Sequence, residues 1–235
     1  MKRLIFIIAT ISIAPSYLFA QEIKLYLHPY YGSYRMKELQ EIQQVQLSES
    51  VIPLRETEEI RGYWGYEAGV QADLGSKSFL SVYGGLNSTG GRLHYSDYSG
   101  EAYVNNKLRG THLGLQYSLF ALSDTLQENL SFGFRAGVSF TSFNSQSVLA
   151  INGLQSQQEN SEFRGTGFHI GPSIQYNFNV FQKIDLGLNI RYEYFFPGKL
   201  SPKNNSDAYL VTPKGEKAGA DWSGLRIGLV IQLNP

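Results

Sequence analysis

The strongest constraint on the fold of this chain is a regular alternation of apolar and polar side chains. In the segment Gly224–Leu233, every second residue is a large aliphatic one, in the order Leu225, Ile227, Leu229, Ile231 and Leu233. The residues between them are Gly224, Arg226, Gly228, Val230 and Gln232. Successive side chains of a β-strand point to opposite faces, so this period of two predicts a strand with one apolar and one mainly polar face.

The same period recurs along the chain and predicts eight strands. They are Ile23–Tyr34, Tyr63–Leu74, Phe79–Asn87, Thr111–Ala121, Leu130–Thr141, Phe168–Phe178, Ile184–Tyr194 and Gly224–Leu233. Each is about as long as the 9–11 tilted residues with which a strand crosses a bilayer. Pro29 and Pro172 fall inside two of them, and because proline has no N–H to donate to a sheet, we expect a bulge or kink at each.

The connections between the predicted strands alternate in length. Short ones lie near residues 75–77, 123–129 and 179–183, and long ones at 36–61, 95–108, 144–164 and 197–221. Short turns at one rim and long loops at the other are typical of outer-membrane β-barrels. The first long loop contains six glutamates against three basic residues, and we expect it to be an acidic, solvated segment.

The N-terminus has the pattern of a secretory signal peptide. Basic residues precede an apolar run, Leu4–Ala14, and a small residue, Ala20, follows at the expected cleavage position. The apolar run is shorter than the about 20 residues that a transmembrane helix needs. We therefore expect residues 1–20 to be removed and residues 21–235 to form one β-barrel domain.

Charge and cysteine content exclude several classes of protein. Loss of residues 1–20 removes two of the 20 basic side chains and none of the 20 acidic ones, which leaves a net charge of −2. Nucleic-acid binding needs a concentrated basic surface, so we expect no nucleic-acid partner. The absence of cysteine excludes a lipoprotein anchor, a disulfide framework and a cysteine-based metal site. With no run of 18 apolar residues after the signal, integration into a membrane requires a closed barrel, which satisfies its own backbone in lipid.

Alternation alone is also compatible with a soluble eight-stranded barrel whose apolar face lines a ligand cavity. The polar face favours the membrane protein, because a water-exposed sheet is normally rich in Lys and Glu. Here that face is mostly Gly, Ser, Gln and Asn, and Lys24 is its one lysine in the predicted strands. The apolar face carries aromatic residues near the strand ends, as an aromatic girdle does: Trp64, Phe168 and Tyr194 at the long-loop rim, and Phe132, Tyr176 and Phe178 at the other. Trp222 has the parity of the polar face, and the pattern gives it no role.

We therefore predict an all-β fold, an eight-stranded antiparallel transmembrane β-barrel with short periplasmic turns and long extracellular loops. The signal peptide, the eight segments and the closing strand Gly224–Leu233 resemble the small outer-membrane β-barrels of the OmpA and OmpX type. This resemblance covers the mature chain and rests on pattern. It implies a Gram-negative outer membrane, contact with its lipids and lipopolysaccharide, and insertion by the barrel-assembly machinery. Members of that family usually end on an aromatic residue, whereas this chain ends on Leu233, Asn234 and Pro235.

The polar face carries the candidate functional residues. The charged side chains that we expect to meet in the lumen are Glu67, Arg135, Arg191, Glu193 and Arg226. Unpaired charges in a closed lumen are costly, so we predict a structural ion-pair network that plugs the barrel. A gated ion path lined by the same residues is the alternative.

We predict no catalytic, cofactor or metal site. His112, His169 and Ser173 share the lumen face, but residues four apart on a strand are about 13 Å apart, too far for a serine–histidine hydrogen bond. Four scattered histidines without cysteine argue against a metal site. We interpret these residues as polar fillers of the lumen.

Three functions remain open at this point. The first is a structural or adhesive surface anchor whose exposed loops contact an unidentified ligand. The second is a narrow, gated, porin-like channel, and the third is a lipid-modifying enzyme. Side chains just fill the interior of an eight-stranded barrel, which favours the first.

Overall fold

The computed structural model describes residues 23–74, 77–121, 129–152, 156–181 and 183–233. The predicted signal peptide lies outside the described residues. The elements in chain order are β1 (Ile23–Gly32), α1 (Lys37–Ser48), β2 (Arg55–Glu58), β3 (Tyr63–Asp73), β4 (Ser78–Asp97), β5 (Gly100–Phe120), β6 (Leu130–Ile151), β7 (Gln157–Phe181), β8 (Ile184–Phe196), β9 (Ser201–Pro202) and β10 (Gly224–Leu233).

Eight of these strands close into an antiparallel barrel. Around the ring they follow the order β1, β3, β4, β5, β6, β7, β8 and β10, and β10 pairs with β1 to close it. The short strands β2 and β9 lie outside the ring, on β4 and β7 respectively. The predicted all-β, eight-stranded antiparallel barrel is confirmed.

Four strands are longer than predicted. The hairpins β4–β5 and β6–β7 continue past the segments that we expected to span the membrane. The prediction of long loops at 95–108 and 144–164 is wrong, because both regions are mostly paired strand. Directly beyond the apolar belt the outward residues of β5 and β6 are polar, as Lys107 and Asn144 are, so the regular aliphatic signal that marked the other strands stops there.

The tips of the two long hairpins are tied to each other. In the β4–β5 turn, Asp97 Oδ1 accepts a hydrogen bond from the Ser99 backbone N–H at 2.8 Å. The backbone N–H of Asn152, beside the β6–β7 tip, donates to the Ser99 carbonyl at 2.9 Å, and its side-chain amide donates to the Tyr98 carbonyl at 2.7 Å. The two hairpins therefore project as one continuous four-stranded sheet.

The prolines interrupt pairing without changing the strand register, so the expected bulges are absent. The β1–β10 ladder lacks the pairs at Pro29 and the residue before it and resumes in the same register at Tyr30. The β7–β8 ladder likewise lacks the pairs at Pro172 and the residue before it and resumes at Ser173. The β1–β3 and β6–β7 ladders run through both sites unbroken. Each proline lacks a donor on one side only, and the other neighbour holds the register.

The two faces of the barrel wall have opposite polarity. Leu115, Leu188 and Leu229 point outward and remain 53%, 39% and 59% exposed, whereas Arg226 on the opposite face is 2% exposed. The predicted girdle residues are on the outer surface as well, and Trp64 is 64% exposed. An apolar exterior around a buried, charged interior excludes the soluble barrel with an apolar cavity.

An apolar cap closes the long-loop end of the lumen. Its buried residues are Met36, Leu39, Ile60, Tyr63, Leu108, Phe143, Phe195, Leu200, Ala220 and Trp222. Helix α1 lies over the mouth and turns Leu39 and Gln43, one helical turn apart, toward the barrel. Of the two segments expected as long loops at this end, 36–61 contains helix α1 and strand β2, whereas 197–221 is a long loop, apart from the two residues of β9, that contributes Leu200 and Ala220 to the cap. Among the described residues, no helix is long and apolar enough to cross a membrane.

Trp222, which the strand pattern left without a role, is central to the cap. Its indole N–H donates to Thr141 Oγ1 at 2.8 Å, and its ring meets Tyr34 edge-on with centroids 4.9 Å apart. Trp222 therefore points inward, as its position in the alternation indicates, and the interior that it meets at this level is apolar.

Candidate functional site

The five predicted lumen charges form one cluster inside the barrel. Glu67 lies on β3, Arg135 on β6, Arg191 and Glu193 on β8, and Arg226 on β10. The period of two turns each side chain inward, and the register places Arg226 directly opposite Arg191. All five are at most 2% exposed. We call these residues the lumen charge cluster.

Glu67 holds one half of the cluster together. Its Oε2 lies 2.7 Å from Arg135 Nη2, 3.0 Å from Arg191 Nη2 and 3.3 Å from His112 Nε2. Arg191 Nη1 also lies 2.8 Å from His28 Nδ1, and an arginine can only donate in this contact. The His28 nitrogen that faces Arg191 is therefore an acceptor.

Glu193 holds the other half. Its Oε1 lies 3.1 Å from both Arg135 Nε and Arg191 Nε, and its Oε2 lies 2.6 Å from Arg226 Nη1. These contacts are close ion pairs whose angles do not meet hydrogen-bond geometry. Arg135 and Arg191 contact both carboxylates, so three guanidinium groups and two carboxylates alternate through the lumen. Each buried charge thereby has an opposite charge beside it, which offsets its desolvation.

Two tyrosines of the inner wall stack on the arginines. The guanidinium carbon of Arg135 lies 3.8 Å from the centre of the Tyr83 ring, and that of Arg191 lies 4.5 Å from the centre of the Tyr30 ring. Such cation–π contacts stabilise a guanidinium group where water is absent. Sequence reasoning missed both tyrosines, because an aromatic residue fits either face of a strand. A glycine on a neighbouring strand could have indicated the inward position of Tyr30. A Cβ at Gly65 would lie 2.5 Å from the Tyr30 ring, so only glycine leaves room for the ring.

The lumen histidines contact residues of neighbouring strands, and His169 does not contact Ser173, which the strand spacing had placed too far away. His169 Nδ1 lies 3.2 Å from Ser139 Oγ, and its Nε2 lies 2.8 Å from the Tyr83 hydroxyl. Ser173, on the same face of β7, belongs to a group of polar side chains around Gly133. His169 and Ser139 are buried below the apolar cap. Among the described residues, no group of His, Asp and Glu side chains is arranged to hold a metal ion.

Little free space remains beside the cluster. A cavity of about 10 Å³ lies between it and the short-turn end, lined by residues that include His28, Glu67, Gln116, Asn189 and Arg191. That is about the space of a single water molecule. Side chains therefore occupy the lumen at this level.

A larger, open groove lies at the far end of the long hairpins. It measures about 480 Å³ and is formed where Ile52 and Leu54 face the inner side of β5, β6 and β7. Ala102 and Leu149 contribute to its apolar part, and Glu159 gives it one carboxylate. Sequence reasoning did not find this groove, because segments distant in sequence form its walls.

Comparison with known proteins identifies neighbours of the fold only. No family model and no curated protein matches this chain. Among solved structures, it is similar to a major outer membrane protein from Thermus thermophilus, with 13% identity, a TM-score of 0.48, and coverage of 90% of this chain and 99% of that one. It is also similar to Ail, the attachment invasion locus protein of Yersinia pestis, with 10% identity, a TM-score of 0.41, and coverage of 91% and 99%. A third is the outer membrane protease OmpT from Escherichia coli, with 9% identity, a TM-score of 0.35, and coverage of 92% and 96%.

These TM-scores are below 0.5, and the strand pairing and surface of the chain itself establish what kind of protein it is. Within the closed ring every strand pairs with two neighbours, the exterior is apolar, and the charges are buried inside. The chain is an integral membrane β-barrel of the outer-membrane type.

Proposed function

We propose that the protein is a surface anchor, a barrel closed to solutes that holds structured hairpins outside the outer membrane. The observation that carries this proposal is the filling of the lumen. The charge cluster occupies the bore within the membrane, and the apolar cap covers it at the long-loop end. An ion that crosses would have to displace both.

The paired charges favour a plug over a gated ion path. A permeant ion needs side chains that exchange its hydration for favourable contacts and then release it. Here Glu67 and Glu193 are each shared among arginines at 2.6–3.1 Å, and those arginines are further held by tyrosine rings. We propose that the cluster stabilises the barrel.

The long hairpins supply the surface for interaction. They extend well past the apolar belt, are tied together at Tyr98 and Asn152, and carry the groove of about 480 Å³. A groove of this size is within the range of ligand sites. We propose that the exposed hairpins contact an extracellular partner, while outer-membrane lipids and lipopolysaccharide surround the barrel and the barrel-assembly machinery inserts it.

Planar bilayer recording on the refolded, full-length mature protein tests the closed lumen. We expect no steady, porin-sized conductance and at most small, irregular openings. The control is Glu159→Gln, which changes an exposed carboxylate of the hairpins and should record as wild type. Stable, porin-sized conductance of the wild type would contradict the surface anchor and would indicate a channel.

Surface display can be tested with single cysteines, since the chain has none of its own. Ser99→Cys lies at the tip of the β4–β5 hairpin, and Lys77→Cys lies in the short turn before β4. On intact cells, a membrane-impermeant maleimide should label the first and leave the second unlabelled. Labelling of Lys77→Cys alone would show that the barrel has the opposite orientation in the membrane.

A further inference from the structure

The outer surface of β4–β7 changes abruptly at one row of the sheet. The last row of the apolar belt with large apolar side chains consists of Leu86, Thr111, Phe140 and Thr166, paired in register across the four strands. Two residues further along, about 7 Å on a strand, the outward row consists of Ser88, Arg109, Ser142 and Arg164. This second row lies where lipid tails end and headgroups begin.

The basic patch of this row consists of Lys107 and Arg109, two residues apart on the outward face of β5. Both side chains are exposed, and neither has a hydrogen bond or ion pair among the described residues. Ser142 and Asn144 face them from β6 in the same register and add neutral donors. The patch therefore presents two free cations at the headgroup level.

Two carboxylates of the same outer surface are paired with cations of the chain. Glu162 lies in the row of Lys107 but two strands away, about 10 Å at the usual strand spacing. It binds Arg164 at 2.9 Å and Lys203 at 3.0 Å. Glu101, nearer the hairpin tip, lies 2.9 Å from His94. The cross-strand neighbours of Lys107 are Gly90 and Asn144, and those of Arg109 are Ser88 and Ser142, so no carboxylate stands directly beside the patch in the ladder.

The opposite wall of the barrel ends differently at the same rim. Its outward residues there are aromatic, with Tyr31 packed against Trp64, and with Tyr194 and Phe196 on β8. Aromatic residues suit a membrane interface without preference for charge. On this wall, therefore, the strands carry aromatic rings at the level where β5 carries Lys107 and Arg109.

We infer that Lys107 and Arg109 bind the phosphorylated headgroup of an outer-leaflet glycolipid. The inference rests on the proposed orientation, in which the long hairpins leave the membrane on the outside. An arginine and a lysine at headgroup depth match the geometry and charge of a phosphate, and Ser142 and Asn144 can bind its remaining oxygens. The lipid tails would lie along the apolar belt directly below.

The test measures binding of the folded, full-length barrel to vesicles of phosphatidylcholine that contain lipid A with two phosphates. Parallel vesicles contain lipid A stripped of phosphate, and a third series adds inorganic phosphate as a competitor. Wild type should prefer the phosphorylated lipid, and the preference should weaken with salt. Inorganic phosphate at equal concentration should compete poorly, because it gains nothing from the apolar belt.

The decisive variant is the pair Lys107→Gln and Arg109→Gln. Each cation near a charged membrane surface changes the affinity about fivefold, so loss of both should lower the preference for the phosphorylated lipid about 25-fold. The matched control removes two other exposed cations, Lys214→Gln and Lys217→Gln, which lie in the loop before β10, and should keep the wild-type preference. Lys107→Arg retains the positive charge and should also retain the wild-type preference for the phosphorylated lipid.

The outcomes separate this inference from the proposed function. Equal loss in both double variants, or equal binding of both lipids by wild type, would overturn the patch as a site. Strong competition by inorganic phosphate would show that the patch binds a soluble anion, and would contradict its assignment to a glycolipid headgroup. Folding of each variant is read from its heat-dependent mobility in SDS. Porin-sized conductance would overturn the anchor without affecting the lipid result.

Discussion

The half of the barrel inside the membrane and the half beyond it are built with opposite polarity from the same strands. Within the membrane, β5 turns Leu115 outward and His112 inward, whereas further along it turns Lys107 outward and Leu108 inward. β6 changes in the same way, from Phe140 outside to Phe143 inside. The strand period is unbroken from one half to the other. What changes is the surroundings of the outer face, which are lipid in one half and water in the other.

This comparison explains the two different interiors. In the membrane, lipid covers the apolar exterior, and the inside is free to hold charges that satisfy one another. Beyond it, water touches the outer face, and stability has to come from an apolar core, as in a soluble protein. The lumen charge cluster and the apolar cap are these two solutions, stacked on each other.

The largest expected effect comes from breaking the ionic interior. Glu67→Gln leaves Arg135 and Arg191 with one carboxylate fewer in a buried site, and should lower the free energy of unfolding by about 3–5 kcal/mol. Urea unfolding of the folded barrel, followed by tryptophan fluorescence, measures it. The matched control Glu159→Gln, at an exposed position, should change it by less than about 0.5 kcal/mol. Equal effects of the two variants would contradict a stabilising cluster.

The apolar interior should respond to loss of volume. Leu108→Ala removes a fully buried side chain from the cap and should cost about 2–5 kcal/mol, less any part recovered by local collapse. Proteolysis of the 36–61 segment should accelerate, because helix α1 packs on this cap. Val51→Ala, at a fully exposed valine, is the control and should match wild type. If Leu108→Ala behaves like Val51→Ala, the cap is not a cooperative part of the structure.

A charge scan on one face of one strand should locate the boundary between the halves. Leu115→Arg faces lipid and should cost about 2–4 kcal/mol. Asn105→Arg lies on the same outward face of β5 beyond the apolar belt, and should change stability by less than about 0.5 kcal/mol. Folding yield into vesicles and urea unfolding report both. A large cost at Asn105 would move the membrane boundary toward the hairpin tips.

The smallest effect concerns an exposed ion pair of the outer half. Hydrogen bonds from Lys203 and Arg164 lower the pKa of the Glu162 carboxyl. Its folded-state pKa is below the unfolded one, so the stabilisation is present above about pH 4.3 and is lost as the pH falls through the folded value. Lys203→Gln should raise the pKa of Glu162 toward its ordinary value, measured by carbon NMR of the carboxyl group. Lys214→Gln should leave it unchanged, and a shift there would indicate a general charge effect.

The sequence by itself determined the membrane half of this protein. Where lipid and a closed lumen face opposite sides of a strand, every second residue must be apolar, as from Leu225 to Leu233, and the faces follow directly from parity. The same parity selected all five residues of the charge cluster. The composition of the polar face, with its small residues and its one lysine, then indicated that the apolar face is the outer one.

Only the tertiary structure decided which charges meet and how the outer half is built. Glu67 and Arg135 are 68 positions apart and contact each other because the register of four strands places them at one height. Trp222 and Leu108 are inward residues whose surroundings are set by helix α1, which the strand period does not describe. Parity reports which way a side chain points. What it meets there depends on shear, on loop packing and on where the membrane ends, and these are properties of the closed barrel as a whole.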